Sequence, residues 1–249
     1  MSVPDFARHR LFLDHALAAG SRLPLEREQA NYLLNVLRMK SDDTVLVFNG
    51  RDGEWLAAVS AEGRKQASLG LLRQTRAQPS EPDLHYLFAP LKHARLDYIA
   101  QKAVEMGAGV LQPVLTRRTQ VSRLNLDRMR ANAIEAVEQC GILTLPEIRA
   151  ESPLQAVLAA LEPERLLVFC DEAMAHASPV AALAAAPAGP VAVLIGPEGG
   201  FDEAERDLIL ARPKTLGISL GPRILRADTA AVAALALVQA VIGDWPREG

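Results

Sequence analysis

Short apolar runs broken by turns fill the first third of the chain, and longer apolar runs alternating with amphipathic stretches fill the rest. In the first part, strands are expected at residues 44–48, 55–59 and 67–72, where β-branched and apolar residues cluster between turn formers. The first two flank Asn49-Gly50-Arg51-Asp52-Gly53, whose Asn-Gly and Asp-Gly pairs tolerate the positive φ of tight turns. A helix is expected before them at 27–37, because Ala30, Leu33, Leu34 and Leu37 fall on one stripe at helical spacing. Residues 1–73 therefore read as a small β-barrel domain. Residues 74–83 end in Gln78-Pro79-Ser80-Glu81-Pro82-Asp83; two prolines among polar neighbours break regular elements, so a linker is expected there.

From residue 84 to 249 the rhythm changes to that of an α/β domain with a parallel sheet covered on both faces. Strands are expected at 85–89, 110–114, 166–170, 191–195 and 215–219, with helices between them. The clearest helix is 95–106, where Leu96, Ile99, Ala103 and Met106 form one stripe and Lys102 and Glu105 lie off its centre. The last helix, 229–242, is nearly all Ala, Val and Leu; a helix apolar all round must be buried, against the sheet or against another subunit. The Ala-rich stretch 173–189 predicts little, and no repeat is present.

Composition narrows this picture. With 49% apolar and 23% charged residues, the 249-residue chain can bury one large or two modest cores. Residues 230–242 are interrupted by Gln239 and fall short of the roughly 20 apolar residues that a bilayer span needs, so no membrane partner is expected. The N-terminus carries no apolar leader with a small-residue cleavage site, which predicts a cytoplasmic protein. Cys140 and Cys170 cannot make a disulfide framework and are expected as core thiols. No His/Cys group has metal-ligand spacing, so no metal is expected. A net charge of -3 excludes nucleic-acid binding by bulk charge but not by local patches. Two patches qualify: Arg117, Arg118, Arg123, Arg128 and Arg130, opposed by Asp127, and Arg8, His9 and Arg10. Each is a candidate phosphate-facing surface, and solvated surface charge accounts for each equally well.

Two segments carry candidate chemistry. Gly196-Pro197-Glu198-Gly199-Gly200-Phe201 follows the wholly apolar run 191–195 and leads into a helix opening at Asp202. Such a glycine loop lets backbone amides approach a ligand at the carboxyl edge of a parallel sheet. It is neither a P-loop nor a dinucleotide fingerprint, and the Glu198 carboxylate would repel an anion but attract a sulfonium; a structural turn alone is the alternative. The second segment, Leu220-Gly221-Pro222-Arg223-Ile224-Leu225-Arg226-Ala227-Asp228-Thr229-Ala230, follows the next strand. Two arginines and an aspartate at the mouth of an apolar core are costly to desolvate unless they pair or meet a ligand, and Asp228 or Thr229 is also expected to cap the last helix.

These two segments, in this order and spacing, resemble the RsmE-type 16S rRNA (uracil-N3)-methyltransferases of the SPOUT superfamily. The likeness extends to Arg8-His9-Arg10-Leu11-Phe12, Val36-Leu37-Arg38, Phe48-Asn49-Gly50, Lys102-Ala103-Val104-Glu105-Met106-Gly107 and Glu138-Gln139-Cys140-Gly141. The resemblance implies a PUA-like RNA-binding barrel followed by a trefoil-knotted SPOUT domain, a homodimer, and S-adenosylmethionine as cofactor. It implies as target a uridine in the decoding region of 16S rRNA, within the small ribosomal subunit. The cofactor would lie against Ile195, Gly196, Pro197, Gly199 and Gly200 of one loop, and Leu220, Gly221, Ile224, Leu225, Thr229 and Ala230 of the other. Arg226, Asp228 and Glu198 are the candidate catalytic residues; Arg8, Arg10, Arg38, Arg117, Arg118 and Arg123 are the candidates for RNA. Two departures stand out: Asp228 replaces the family's usual glutamate, and Ile142 stands where an arginine is usual. Methylation of another RNA atom, such as a ribose 2′-oxygen, and a non-catalytic RNA-binding role in ribosome assembly are the alternatives.

Overall fold

The alternating apolar positions of the first part fold into a five-stranded sheet. In the computed structural model, which describes residues 8–63, 66–121, 123–174 and 178–245, its strands are β1 (Arg10–Phe12), β2 (Arg22–Pro24), β3 (Thr44–Phe48), β4 (Glu54–Ala61) and β5 (Ala67–Arg76), in the order β1-β3-β4-β5-β2. Residues 1–7, on which the expectation of no leader partly rests, lie outside the described residues, as do 246–249 at the end of the expected second domain. Only β1 and β3 pair in parallel; the other neighbours are antiparallel. Leu11, Leu13, Leu33, Val45, Val47 and Leu69 are among the buried residues of its core.

The expected helix at 27–37 is divided: α1 (Arg27–Asn31) passes into a π turn over Tyr32–Val36, closed by Leu37 N–H donating to the Tyr32 carbonyl at 2.9 Å. Ala30 and Leu33 still face inward, and the turn ends at Arg38 in the left-handed region, φ 57°. β5 runs through Arg76, three residues into the expected linker, because its end is tied to a buried carboxylate. Glu54, 2% exposed, accepts hydrogen bonds from Thr75 Oγ1 at 2.8 Å, Arg76 Nη2 at 2.7 Å and Arg10 Nε at 3.0 Å. Arg10 is accordingly not the solvent-facing cation expected from its sequence neighbours: it is buried, turned inward by Glu54. Residues 137–145 belong to this same compact unit, whose boundary follows Glu81. Within it, Glu138 Oε1 accepts from Phe12 N at 2.8 Å and Arg76 donates to the Gly141 carbonyl at 3.0 Å.

The second unit holds β6 (Leu84–Phe88), α2 (His93–Glu105), β7 (Val110–Leu115), most of α3 (Leu126–Cys140), β8 (Glu147–Ile148), β9 (Ser152–Pro153), α4 (Leu154–Ala160), β10 (Leu166–Cys170), α5 (Pro179–Ala184), β11 (Val191–Ile195), α6 (Glu203–Leu210), β12 (Thr215–Ile218) and α7 (Ala227–Val241). Its sheet runs β12-β10-β11-β6-β7-β8 with every pair parallel. One face packs on α4 and α6 through Leu87, Phe169, Leu194, Leu158 and Ile209, while α2 and α7 pack against each other and α7 against β11. Within this chain α7 buries Ala231, Ala234, Leu235 and Val238, and leaves Val232, Ala233, Ala236 and Leu237 half-buried. The register aligns Ile218, Cys170, Ile195 and Phe88 in one row, so four loops leave the same edge side by side.

Burial pushes the Glu54 carboxyl up, but hydrogen bonds from Arg76, Thr75 and Arg10 outweigh it and hold it below the ordinary glutamate range. Its folded value being depressed, the stability it contributes is fully present above the unfolded glutamate value, about 4.3, and is lost as pH falls through the folded value. Glu54→Ala is expected to cost about 3–5 kcal/mol in urea unfolding at pH 7. The loss should shrink in acid; a loss independent of pH would contradict the role assigned to the carboxylate.

Candidate active site

At Ile195 the chain leaves the sheet through a turn that only glycine can begin. A Cβ on Gly196 would come within 2.5 Å of Cε2 of Phe201, whose ring is itself fixed edge-on against Phe169 with centroids 5.3 Å apart. The turn closes with Gly200 N–H donating to the Pro197 carbonyl at 2.9 Å, and Gly200 takes φ 69°. Asp202 then caps α6: its carboxylate accepts from Glu205 N at 2.8 Å while the Glu205 carboxylate accepts from Asp202 N at 3.1 Å, the reciprocal capping arrangement. Glu205 also accepts from Arg117 N at 2.8 Å. Arg118 donates to the Gly199 carbonyl at 2.6 Å, and Arg117 pairs with Asp202 at 3.1 Å. The loop is thus braced by two exposed arginines that sequence reasoning assigned to RNA.

The second expected segment emerges from β12 two strands away. Gly221 has φ 105°, and Arg226, extended at φ -67° and ψ 151°, occupies the N-cap position of α7 without a side-chain cap hydrogen bond. The expected caps, Asp228 and Thr229, lie two and three residues further in, within the first turn. There the Asp228 carboxylate accepts from Thr229 N at 2.8 Å and stands at the positive end of the helix dipole.

Between the two segments lies a cavity of about 390 Å³. Ile195, Gly196, Pro197, Glu198 and Gly200 line it from one side; Leu220, Gly221, Ile224, Leu225, Arg226 and Ala230 line it from the other. Gly199 lines an adjoining cavity instead, and Asp228 and Thr229 line neither. Ile224, 88% exposed, sits at the rim. Of the expected RNA-facing residues, Arg8, Arg38, Arg117, Arg118 and Arg123 are exposed, and Arg10 is not.

Sequence reasoning missed Arg95, Asp171 and Glu172, and misjudged Cys170. Arg95, on the first turn of α2, forms an ion pair with Glu198 and stands 3.9 Å from Asp228. It is one arginine on a helix surface, and nothing in its neighbours marks it. Asp171 and Glu172 follow β10 at the sheet edge that ligands favour in open α/β folds, which is the signal that would have found them. Asp171 accepts from Arg206 Nε at 2.6 Å. Cys170 is half-buried in the cavity wall rather than a core thiol, and burial pushes its thiol up to about 12. Cys140 is also half-buried.

Residues 78–239 match an RNA methyltransferase domain family, and residues 25–72 match an RNA methyltransferase PUA domain. The chain belongs to the RNA methyltransferase family. This methyltransferase is 30% identical over 233 residues to the ribosomal RNA small subunit methyltransferase E of Rickettsia conorii, covering 93% of this chain and 95% of that one. Among solved structures it is similar to a Legionella pneumophila methyltransferase in complex with SAM, at TM-score 0.83 and 30% identity, covering 96% and 99% of the two chains. It is equally close in fold to the ribosomal RNA small subunit methyltransferase E of Neisseria gonorrhoeae bound to S-adenosyl methionine, at TM-score 0.83 and 26% identity, covering 96% and 100%. The expected order, a PUA-like domain followed by an α/β methyltransferase domain with a parallel sheet, is the one found.

Gly196→Ala in this methyltransferase must displace Phe201 from Phe169. The expected result is a loss of about 1–3 kcal/mol in the urea unfolding free energy; an unchanged midpoint would show that the loop yields without strain.

Proposed function

We propose that this methyltransferase transfers the methyl group of S-adenosylmethionine to N3 of a uridine in the decoding region of 16S rRNA. The observation that carries the reading is the meeting of the two glycine turns in one cavity whose wall also bears carboxylates. The residues present fit the cofactor. The cavity's volume lies in the range of small-ligand sites, about 300–1,000 Å³; Ile195 and Leu225 offer apolar walls, and the backbone is bare at Gly196 and Gly221. Asp171, Glu172 and Glu198 complement a positive sulfonium. When bound, S-adenosylmethionine supplies a methyl electrophile, the electrons of the broken carbon–sulfur bond remaining on sulfur.

The chain's own residues do the rest. Uracil N3 must lose its proton to present a lone pair; in this reading Glu198, which lines the cavity, takes that proton or orients the base, with Asp228, which lines neither cavity, as the alternative. As the proton leaves, negative charge spreads to the flanking carbonyl oxygens, and Arg226 at the cavity wall favours it. A guanidinium about 4 Å from such charge contributes about 4 kcal/mol at an effective dielectric near 20, roughly three decades in rate if expressed only in the transition state.

The same reading makes residues 1–73 an RNA-binding domain and 84–249 the methyltransferase domain, with Arg8, Arg38 and Arg123 presenting exposed charge to RNA. It makes the protein a cytoplasmic homodimer, for which the half-buried stripe Val232, Ala233, Ala236 and Leu237 of α7 supplies an apolar face. No helix among the described residues is long and apolar enough to cross a membrane.

Arg226→Ala is expected to lower methyl transfer to small subunits by about three decades, with calorimetric affinity for S-adenosylmethionine changed by less than about twofold. Parallel losses in both would make Arg226 scaffold rather than catalyst. Mass spectrometry of the product nucleosides decides the acceptor atom: N3-methyluridine supports the proposal, and a ribose-methylated nucleoside overturns it.

A further inference from the structure

A second cavity, of about 480 Å³, opens beside the first and shares Arg95, Pro197 and Glu198 with it. Methyl transfer calls for such an arrangement. The accepting atom approaches the methyl carbon from the side opposite the departing sulfur, about 3–3.5 Å away, so the acceptor needs a space of its own next to the donor's, with no protein atoms between the two reacting atoms. The lining of the second cavity divides by chemistry. Pro90, Leu91 and Val121 offer apolar surface to the face of a base. Lys92 and Arg118 place cations where a phosphate would be neutralised. Gln120 carries a side-chain amide that both donates and accepts, as the edge of an unpaired base requires.

The first turn of α2 strengthens the case. Lys92, its N-cap residue, and Ala94 and Arg95 all line the cavity, and no acidic residue stands in that turn. The positive end of a 13-residue helix therefore adds to the field of the side chains. The carboxylate on the wall, Glu198, is offset by its ion pair with Arg95.

We infer that the second cavity is the acceptor site. It receives the target nucleotide turned out of the RNA strand, with its base toward Arg95 and Glu198 and its phosphate toward Lys92 and Arg118. Arg95, which lines both cavities, is then a residue that touches substrate. This inference rests on the reading of the protein as a methyltransferase of an RNA base.

The test uses small ribosomal subunits from cells lacking the modification. Filter binding across a salt series is expected to show weaker binding for Lys92→Ala than for wild type, with the slope of log affinity against log salt reduced by about one. Ala94→Trp puts an indole into the cavity from an exposed helix position; it is expected to raise KM for subunits about tenfold or more, roughly the factor that 1.4 kcal/mol gives, while calorimetric affinity for S-adenosylmethionine changes less than about twofold. The inference is overturned if both variants bind and methylate subunits as wild type does, or if Lys92→Ala loses cofactor affinity as fully as subunit affinity. Should the wild-type product prove to be another nucleoside, the N3 assignment fails, and the salt slope and KM still decide the cavity.

Discussion

The site depends on one topological constraint: every strand of the second sheet points the same way. Because β6, β10, β11 and β12 are parallel neighbours in register, loops that are far apart in sequence must leave one edge together. The residues after Cys170, Ile195 and Ile218 become the walls of one cavity without any further device. What the loops must then do is turn sharply without filling the space they create, and this is where side chains are excluded. Phe201 packs against Phe169 where a Cβ of residue 196 would stand, so the hydrophobic core beneath the loop dictates glycine above it.

Electrostatics complete what topology begins. A cavity holding Asp171, Glu172, Glu198, Arg95, Arg223 and Arg226 would be expensive to desolvate if those groups stood alone. Asp171, whose side chain is buried, pairs with Arg206, and the exposed Glu198 pairs with Arg95. Partnership with protein groups sets the direction in which each can respond when a ligand enters, since a paired group yields only to a better partner. The buried capping carboxylate Glu205, holding Asp202 and Arg117 together, keeps the glycine loop in place from behind. Arg117 and Arg118 thus have structural work whether or not RNA also meets them.

Much of the second sheet was legible because fully buried parallel strands read as unbroken apolar runs: 166–170 and 191–195 coincide with β10 and β11. The two chemical segments were legible for a related reason, since glycine and charge immediately after an apolar strand have few structural explanations. Other features were not. β1 and β2 are three residues each, too short to show a period, and are held by their partners rather than by their own pattern. Arg10 reads as a surface cation because its local neighbours are charged; its burial depends on Glu54, 44 positions away. The π turn at Tyr32–Val36 keeps the helical stripe while changing the hydrogen bonds, so periodicity alone could not distinguish it. Arg95 is the instructive omission, because its importance comes only from where parallel topology places the start of α2 relative to Glu198.

The central claim is that two loops from separate strands hold one adenosyl sulfonium compound between them. Hydrogen exchange of the protein with and without S-adenosylmethionine tests it most directly. The account predicts that amides of residues 196–201 and 219–230 slow together, at the same cofactor concentration, while those of β3 to β5 do not change. Protection of one loop without the other, or protection confined to a different part of the chain, would contradict it.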